Sequence, residues 1–228
     1  MRDVLDAPQA AQREWARVGG GSTVAEHYDE VWVYGDDAVY DPFATGELPA
    51  ELASRSRSTG YLSHGRPDDP TGEDTERPHV LTMVGGGSDG GQIALAAARA
   101  QVPAGHRHVI LTGPQMPAED YERISAAAAE NARPGEGGQV LLRRYAPNVP
   151  GLIREAAAVV CMAGYNSLAE VMATTTPALV VPRSTRRAEQ PRRAAALAAA
   201  GAVSTLPAER LTPEALSSWL SHAVHQRT

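Results

Sequence analysis

His79-Val80-Leu81-Thr82-Met83-Val84-Gly85-Gly86-Gly87-Ser88-Asp89-Gly90-Gly91 is the stretch that decides the fold. Its first six residues form an apolar run of the kind expected of a strand buried on both faces. A glycine turn follows at once, and the pattern predicts a helix over about 90–100. Strand, tight turn and helix in direct succession make the opening of a βαβ unit. The alternation continues downstream. Strands are predicted at 108–112, 139–143, 158–162, 178–181 and 203–206, and helices at 118–131, 149–156, 166–174, 191–200 and from about 213. Such alternation calls for an α/β fold: a parallel sheet with helices on both faces.

Upstream the pattern is thinner. Val4, Leu5, Ala11, Trp15 and Val18 suggest one helix over 3–18, ended by Gly19-Gly20-Gly21. A short strand is expected at 31–34, a short helix at 48–56 and an extended segment at 57–62. Residues 63–78 mix proline, glycine and charge and read as a loop. The first part has too few elements for a core of its own and reads as the trailing edge of another domain. The expected division is 1–64, a linker at 65–77, and a complete α/β unit at 78–228.

Composition narrows the function classes. The chain has 228 residues, 43% of them hydrophobic, and a net charge of −6, which argues against non-specific nucleic-acid binding. All 21 basic residues are arginine, a bias that points to genome composition more than to function. The single cysteine, Cys161, excludes an intramolecular disulfide and fits a reducing cytoplasm. No run reaches the ~18 apolar residues of a membrane span. The charged start Met1-Arg2-Asp3-Val4-Leu5-Asp6 does not read as a signal peptide. The histidines lack ligand spacing, so no metal site is expected. Trp15, Trp32 and Trp219 read as packing residues.

Three turns carry candidate chemistry. In the first, Gly86, Gly87, Ser88 and Gly90 lie where a glycine-rich turn brings backbone amides to a helix N-terminus, a seat for phosphate. The same turn also reads as a tight strand–helix connection without a ligand. Gly85, Gly87 and Gly90 have the spacing of a dinucleotide fingerprint, but the next strand ends Leu111-Thr112-Gly113-Pro114, without the carboxylate that would hold a ribose. The second turn is Gly164-Tyr165-Asn166-Ser167-Leu168-Ala169-Glu170, after a strand and opening a helix. Asn166 or Ser167 suits the N-cap. Glu170 falls one turn on, along the face of Asn166, placed to accept two hydrogen bonds from a ribose diol. A plain capped helix with an exposed glutamate is the competing reading. The third turn is Glu189-Gln190 before Pro191, itself well placed to begin a helix. It reads either as a sugar-hydroxyl reader or as a capping pair. Arg183, Arg186, Arg187, Arg192 and Arg193 surround it, as anion binders or as a solvated face.

Gly164-Tyr165-Asn166-Ser167 with Glu170, then Pro177, Pro182 and Glu189-Gln190, resembles the donor motif of glycosyltransferases with two Rossmann-like domains, the GT-B fold. The turn at Gly85–Gly91 and the whole of 78–228 are similar to the C-terminal domain of the bacterial N-acetylglucosaminyltransferases that act on the lipid-linked peptidoglycan precursor. Val181-Pro182-Arg183 with Arg187 and Glu189-Gln190, and the segments from Arg2 and from Tyr28 to Gly35, resemble a bacterial group of predicted glycosyltransferases.

The resemblance implies a Rossmann-like domain that binds a nucleotide diphosphate sugar, with a UDP-sugar first in line and no separate cofactor. It implies that Gly164 to Ser167 hold the diphosphate, Glu170 the ribose, Glu189 and Gln190 the sugar, and that Arg144 and Tyr145 lie near the base. Met162 stands where the plant motif has a histidine, which removes one phosphate contact. The family's acceptor-binding N-terminal domain, usual seat of the general base, is largely missing, so no catalytic residue is named.

The leading expectation is hexosyl transfer to an acceptor of unknown kind, with an N-terminal acceptor domain as partner. A non-catalytic nucleotide-sugar-binding module, or one subunit of a split transferase, is the alternative. A nicotinamide oxidoreductase and a sugar-nucleotide epimerase share the fold class.

Overall fold

The structure, a computed structural model, describes residues 1–63, 78–131, 139–183 and 187–226. The expected linker at 65–77, with His64 and Arg186, lies outside the described residues. In chain order the elements are α1 (Pro8–Arg17), α2 (Gly20–His27), β1 (Val31–Val33), β2 (Ser56–Ser58), β3 (His79–Met83), α3 (Gly91–Arg99), β4 (Arg107–Leu111) and α4 (Ala118–Asn131). Then come β5 (Val140–Arg143), α5 (Val149–Glu155), β6 (Ala158–Cys161), α6 (Tyr165–Met172), β7 (Ala178–Val180), α7 (Glu189–Ala199), β8 (Ser204–Thr205) and α8 (Pro213–Ala223). The chain forms two compact units, one of residues 63–183 with 203–228 and one of residues 1–62 with 184–202.

The larger unit is built on a six-stranded sheet of order β5-β4-β3-β6-β7-β8. Every pair in it is parallel. The chain runs outward through β3, β4 and β5, then returns to lay β6 on the other side of β3. That is the doubly wound order, and the place where its direction reverses is between β3 and β6. All residues of β3, β4, β6 and β7 are buried, while the edge strands β5 and β8 are not. This is why the central strands read as continuous apolar runs rather than as alternation. Val80, Ile110, Val160, Leu179, Leu216 and Leu220 belong to one core cluster. Ala94, Ala96, Ala97 and Ala98 give α3 a small-residue surface inside that cluster.

The helices begin where the sequence provides caps. The Asn148 side chain accepts a hydrogen bond from Gly151 N at 3.0 Å at the head of α5. Thr212 Oγ1 accepts from Ala215 N at 3.1 Å at the head of α8, with Pro213 in the first turn. Buried groups of the sheet include two with shifted pKa values, His108 and Cys161. His108 lies fully buried with Nε2 2.8 Å from Thr82 Oγ1, and burial pushes its pKa down to about 4, so the ring is neutral at pH 7. Burial raises the Cys161 thiol to about 12, which leaves it inert as a nucleophile or thiolate ligand.

The smaller unit departs from expectation in three ways. One helix over 3–18 was expected, but the chain forms two. Gly19 and Gly20 adopt φ of 87° and 72°, a bend that redirects the chain into α2 instead of ending helical structure. Second, the segment has a small core of its own. Val31, Val33 and Leu48 cluster there with Leu5, Trp15, Val24 and Phe43, around the parallel pair β1–β2. Trp15 packs as expected, but Trp32 is 54% exposed because its neighbours Val31 and Val33 take the buried face of β1.

Third, residues 187–202 pack with residues 1–62. Ion pairs explain the association. The Arg193 guanidinium, 1% exposed, meets Asp3, also 1% exposed, through Nε and Nη2 at 2.9 Å. Arg192 Nε donates to Tyr40 Oη at 2.9 Å and to Glu47 Oε1 at 3.2 Å. Arg187 makes a forked pair with Glu14 at 2.8 and 3.2 Å. Tyr40 donates in turn to Glu47, and burial, then that hydrogen bond, raises its pKa.

Candidate functional site

A cleft of about 310 Å³ opens at the carboxyl end of the six-stranded sheet. That is the lower range of ligand pockets. Strands β3, β4, β5 and β6 each contribute to it through the segment they lead into. Gly85 and Gly86 come from the turn after β3, and Gly113 and Pro114 from the turn after β4. Arg144, Tyr145 and Ala146 come from the loop after β5. Asn166, Ser167 and Glu170 come from α6, which follows β6. Two turns far apart in sequence therefore meet because β3 and β6 are neighbours. Open α/β sheets bind ligands at this place because the two helices beside it leave on opposite faces.

The α6 side has the chemistry of an anion seat. The first intrahelical bond runs from Leu168 N to Gly164 O at 3.0 Å. The amides of Asn166 and Ser167 therefore lie in the first turn, where a helix supplies no acceptor and its dipole is positive. Gly164 caps the helix with φ −66° and ψ 138°, and a Cβ built on it meets nothing within 4 Å. Glu170, half-buried one turn on, is the carboxylate among the lining residues. Tyr165, also in the expected binding set, is 7% exposed, with its side chain packed inward.

The glycine turn after β3 divides by role. Gly85, at φ 62°, and Gly86 are exposed and line the cleft. Gly87 and Gly90 were expected to touch the ligand and do not line it. Gly87 N donates to Val84 O at 3.2 Å and Gly90 N to Gly87 O at 3.4 Å, so the turn consumes both amides. Gly87 has φ 99°, and a Cβ there would stand 2.3 Å from Thr112 O. At Gly90 a Cβ would stand 2.3 Å from Val84 Cβ. Both glycines serve close packing, the plain alternative for this turn. Ser88 also misses the cleft; it lines a second hollow beside α3 and α4 with Gln92 and Asp120.

Arg144 and Tyr145 both line the cleft, in different states. The Arg144 guanidinium lies 3.9 Å from the Tyr121 ring centroid, and its Nη1 donates to Met116 O at 3.1 Å. It is a fixed cation at the rim. Tyr145 is 71% exposed, an aromatic surface at the mouth. Gly113 was missed as a lining residue. Its φ of 80° lets it pass Gly85 O, which a Cβ would approach to 2.3 Å. A Gly-Pro step directly after an apolar strand is the sequence signal for it.

Glu189 and Gln190 begin α7, in the smaller unit, and are not among the residues lining the cleft. Gln190 is 5% exposed and Glu189 half-buried. Of the described arginines around them, Arg187, Arg192 and Arg193 pair with carboxylates as described above, and Arg183 pairs with Asp89 at 3.1 Å within the larger unit. These pairings tie the four described arginines to carboxylates of the chain itself. Among the described residues no group of three or more His, Cys, Asp or Glu is placed to hold a metal ion, and no helix is long and apolar enough to cross a membrane.

Comparison with known proteins agrees with this geometry. The model of the glycosyltransferase family 28 C-terminal domain matches residues 81–228. The UDP-N-acetylglucosamine–N-acetylmuramyl-(pentapeptide) pyrophosphoryl-undecaprenol N-acetylglucosamine transferase of Rhizobium etli is 28% identical over 147 residues, which is 63% of this chain and 38% of that protein. The crystal structure of Acinetobacter baumannii MurG superposes with a TM-score of 0.60 at 18% identity, over 90% of this chain and 56% of that one. The kitacinnamycin glycosyltransferase gives 0.62 at 13% identity, over 96% and 54%. At these identities the structures establish the fold. The chain spans little more than half the length of those structures and 38% of the Rhizobium protein.

Proposed function

The chain belongs to the family of the glycosyltransferase family 28 C-terminal domain, and from that premise we propose that its larger unit binds the nucleotide part of a nucleotide diphosphate sugar for transfer to an acceptor hydroxyl. One observation carries the reading: the head of α6, with Glu170, and the Gly85–Gly86 turn line a single cleft at the reversal of the sheet. The diphosphate lies over the amides of Asn166 and Ser167, where Gly164 leaves room. Glu170 accepts the ribose diol. The base lies toward Tyr145 and Ala146, with Arg144 as a nearby cation. By family resemblance the sugar falls to Glu189 and Gln190. UDP is the first candidate nucleotide, since the Rhizobium relative's name specifies a UDP-sugar.

In the reaction an acceptor oxygen forms a bond to the anomeric carbon while the bond from that carbon to the diphosphate oxygen breaks. The acceptor's proton goes to a base that the family carries in its N-terminal acceptor domain, and the nucleoside diphosphate leaves. Negative charge grows on the departing diphosphate. Amides and a helix dipole already pointing there stabilise it without reorganising, which is electrostatic catalysis. A reducing compartment, the cytoplasm, suits the single buried thiol of Cys161.

A nicotinamide reading fits less well. The end of β4 presents Leu111, Gly113 and Pro114 to the cleft, and the lining carboxylate stands on α6 instead. Calorimetric titration with UDP, dTDP, GDP and NADH tests the proposal. One nucleoside diphosphate is expected to bind, and Glu170→Ala is expected to weaken it by about 1–3 kcal/mol, the loss of charged hydrogen bonds. Tighter binding of NADH than of any diphosphate, or unchanged affinity in the variant, refutes this assignment.

A further inference from the structure

The walls of the cleft carry one charge of each sign. Among the described lining residues Glu170 is the carboxylate and Arg144 the cation. They come from opposite ends of it. Glu170 is on α6, which follows β6, and Arg144 follows β5, with β3 and β4 between those two strands. Three strand spacings, roughly 14 Å, separate β5 from β6. A nucleotide whose diphosphate sits on the head of α6 and whose ribose meets Glu170 therefore extends its base toward the β5 end, where Ala146 and Val149 add an apolar wall.

Arg144 is exposed, yet its guanidinium is held at two points. Its carbon lies 3.9 Å from the centroid of the Tyr121 ring, a cation–π contact. Nη1 donates to Met116 O at 3.1 Å. Both anchors are firm: Met116 is 4% exposed, and Tyr121, in the first turn of α4, packs against the main core cluster. A guanidinium has five N–H donors and no acceptor. Among the described residues Met116 O takes one of the five, which leaves donors for a ligand.

Nucleobases divide on this point. Uracil, thymine and guanine present a carbonyl oxygen where cytosine and adenine present an amino group. A donor-only cation meets the carbonyl with a charge-assisted hydrogen bond, and meets the amino group as donor against donor.

We propose that Arg144 selects the nucleobase, taking one that presents a carbonyl oxygen to it, uracil first, and rejecting cytosine, and that Tyr121 is the positioning residue that holds the guanidinium for this. The proposal rests on the placement of the diphosphate at the head of α6. Every group it uses belongs to the larger unit.

The test is calorimetric titration of the full chain with UDP and CDP, which share ribose and diphosphate and differ at the base edge. The wild type should bind UDP at least about ten-fold more tightly than CDP, the low end for a hydrogen bond to a charged group. Arg144→Met keeps an apolar stem without the charge and should bring the two Kd values within about two-fold, mainly by weakening UDP. Tyr121→Leu should lower the preference at least about three-fold, while Tyr121→Phe, which keeps the ring face, should hold it within about two-fold of the wild type. Arg123→Gln alters an exposed arginine of the same helix, paired with Asp120 at 3.4 Å, and should change neither affinity.

Equal affinity of the wild type for UDP and CDP overturns the proposal, and that measurement needs no variant. Equal weakening of both nucleotides by Arg144→Met overturns it too, since Arg144 is then an anchor for the diphosphate. An unchanged preference in Tyr121→Leu, or the same loss in Tyr121→Phe, overturns the role given to Tyr121. A wild type that binds a purine diphosphate but neither pyrimidine overturns the choice of uracil while a donor site stands. One that binds no nucleoside diphosphate removes the donor site on which the proposal rests.

Discussion

Replacing Gly164 by alanine separates ligand space from folding space in the cleft. The backbone at Gly164 has φ −66° and ψ 138°, which alanine adopts without strain, and the added Cβ meets nothing within 4 Å. Two small effects on stability oppose each other. Losing a glycine's freedom in the unfolded chain stabilises by about 0.4–1 kcal/mol. Alanine at an N-cap is poorer than glycine by a similar amount. The net change is expected within about 0.5 kcal/mol.

The ligand meets a different situation. A phosphate oxygen held by first-turn amides lies about 2.9 Å from nitrogen. A methyl group in the space ahead of Gly164 displaces it, and each charge-assisted hydrogen bond lost costs about 1.5–3 kcal/mol, so UDP should bind roughly 10- to 150-fold more weakly.

Gly87→Ala is the counterpart. There φ is 99° and the new Cβ would stand 2.3 Å from Thr112 O and 2.8 Å from Met116 N, both backbone atoms that cannot swing away. Left-handed strain of about 1–2 kcal/mol and overpacking of about 1–3 kcal/mol add. Scanning calorimetry should show the loss as a fall in Tm of at least about 4 °C. Titration of both variants with UDP, beside their thermal midpoints, decides the matter. Gly164→Ala binding UDP within two-fold of the wild type would refute the placement of the diphosphate at the head of α6.

His108 gives a pH signature. Its pKa is about 4 in the folded chain against 6.5 unfolded, so the unfolded state binds the extra proton between those values. Its contribution, about 3 kcal/mol, is complete above pH 6.5 and disappears as pH falls toward 4. Urea titrations from pH 7 to 4 should show that loss in the wild type and a flatter profile in His108→Gln; parallel profiles would contradict a neutral buried ring. Asp3→Ala strands the Arg193 charge and should cost about 3–5 kcal/mol, while Asp3→Leu with Arg193→Met should recover most of it. Chemical denaturation measures both, and a single-variant cost below about 1 kcal/mol would contradict the enclosed pair.

Local sequence alone determined much of the larger unit. The apolar runs of β3, β4 and β6 and the glycine or cap residues after them set element type and bounds, because a strand buried on both faces and a capped helix leave their patterns in consecutive residues. Helix α4, expected at 118–131, is Ala118–Asn131. The smaller unit was less legible. Three glycines in a row give the same signal whether a helix stops or turns into α2, and the choice depends on what the next segment packs against.

Tertiary structure decided what local pattern cannot express. Strand order put the turns after β3 and β6 side by side, and no residue spacing encodes that adjacency. It assigned Gly85 and Gly86 to the cleft but Gly87 and Gly90 to close packing, since glycine is required equally for a ligand's approach and for a neighbouring backbone's. It also placed Arg193, Arg187 and Arg192, near Glu189, in ion pairs with distant carboxylates. Their partners, Asp3, Glu14 and Glu47, stand 190, 173 and 145 residues away from the arginines they meet. A charge's role is set by what lies within a few ångströms in space, and across such separations only the folded chain determines what that is.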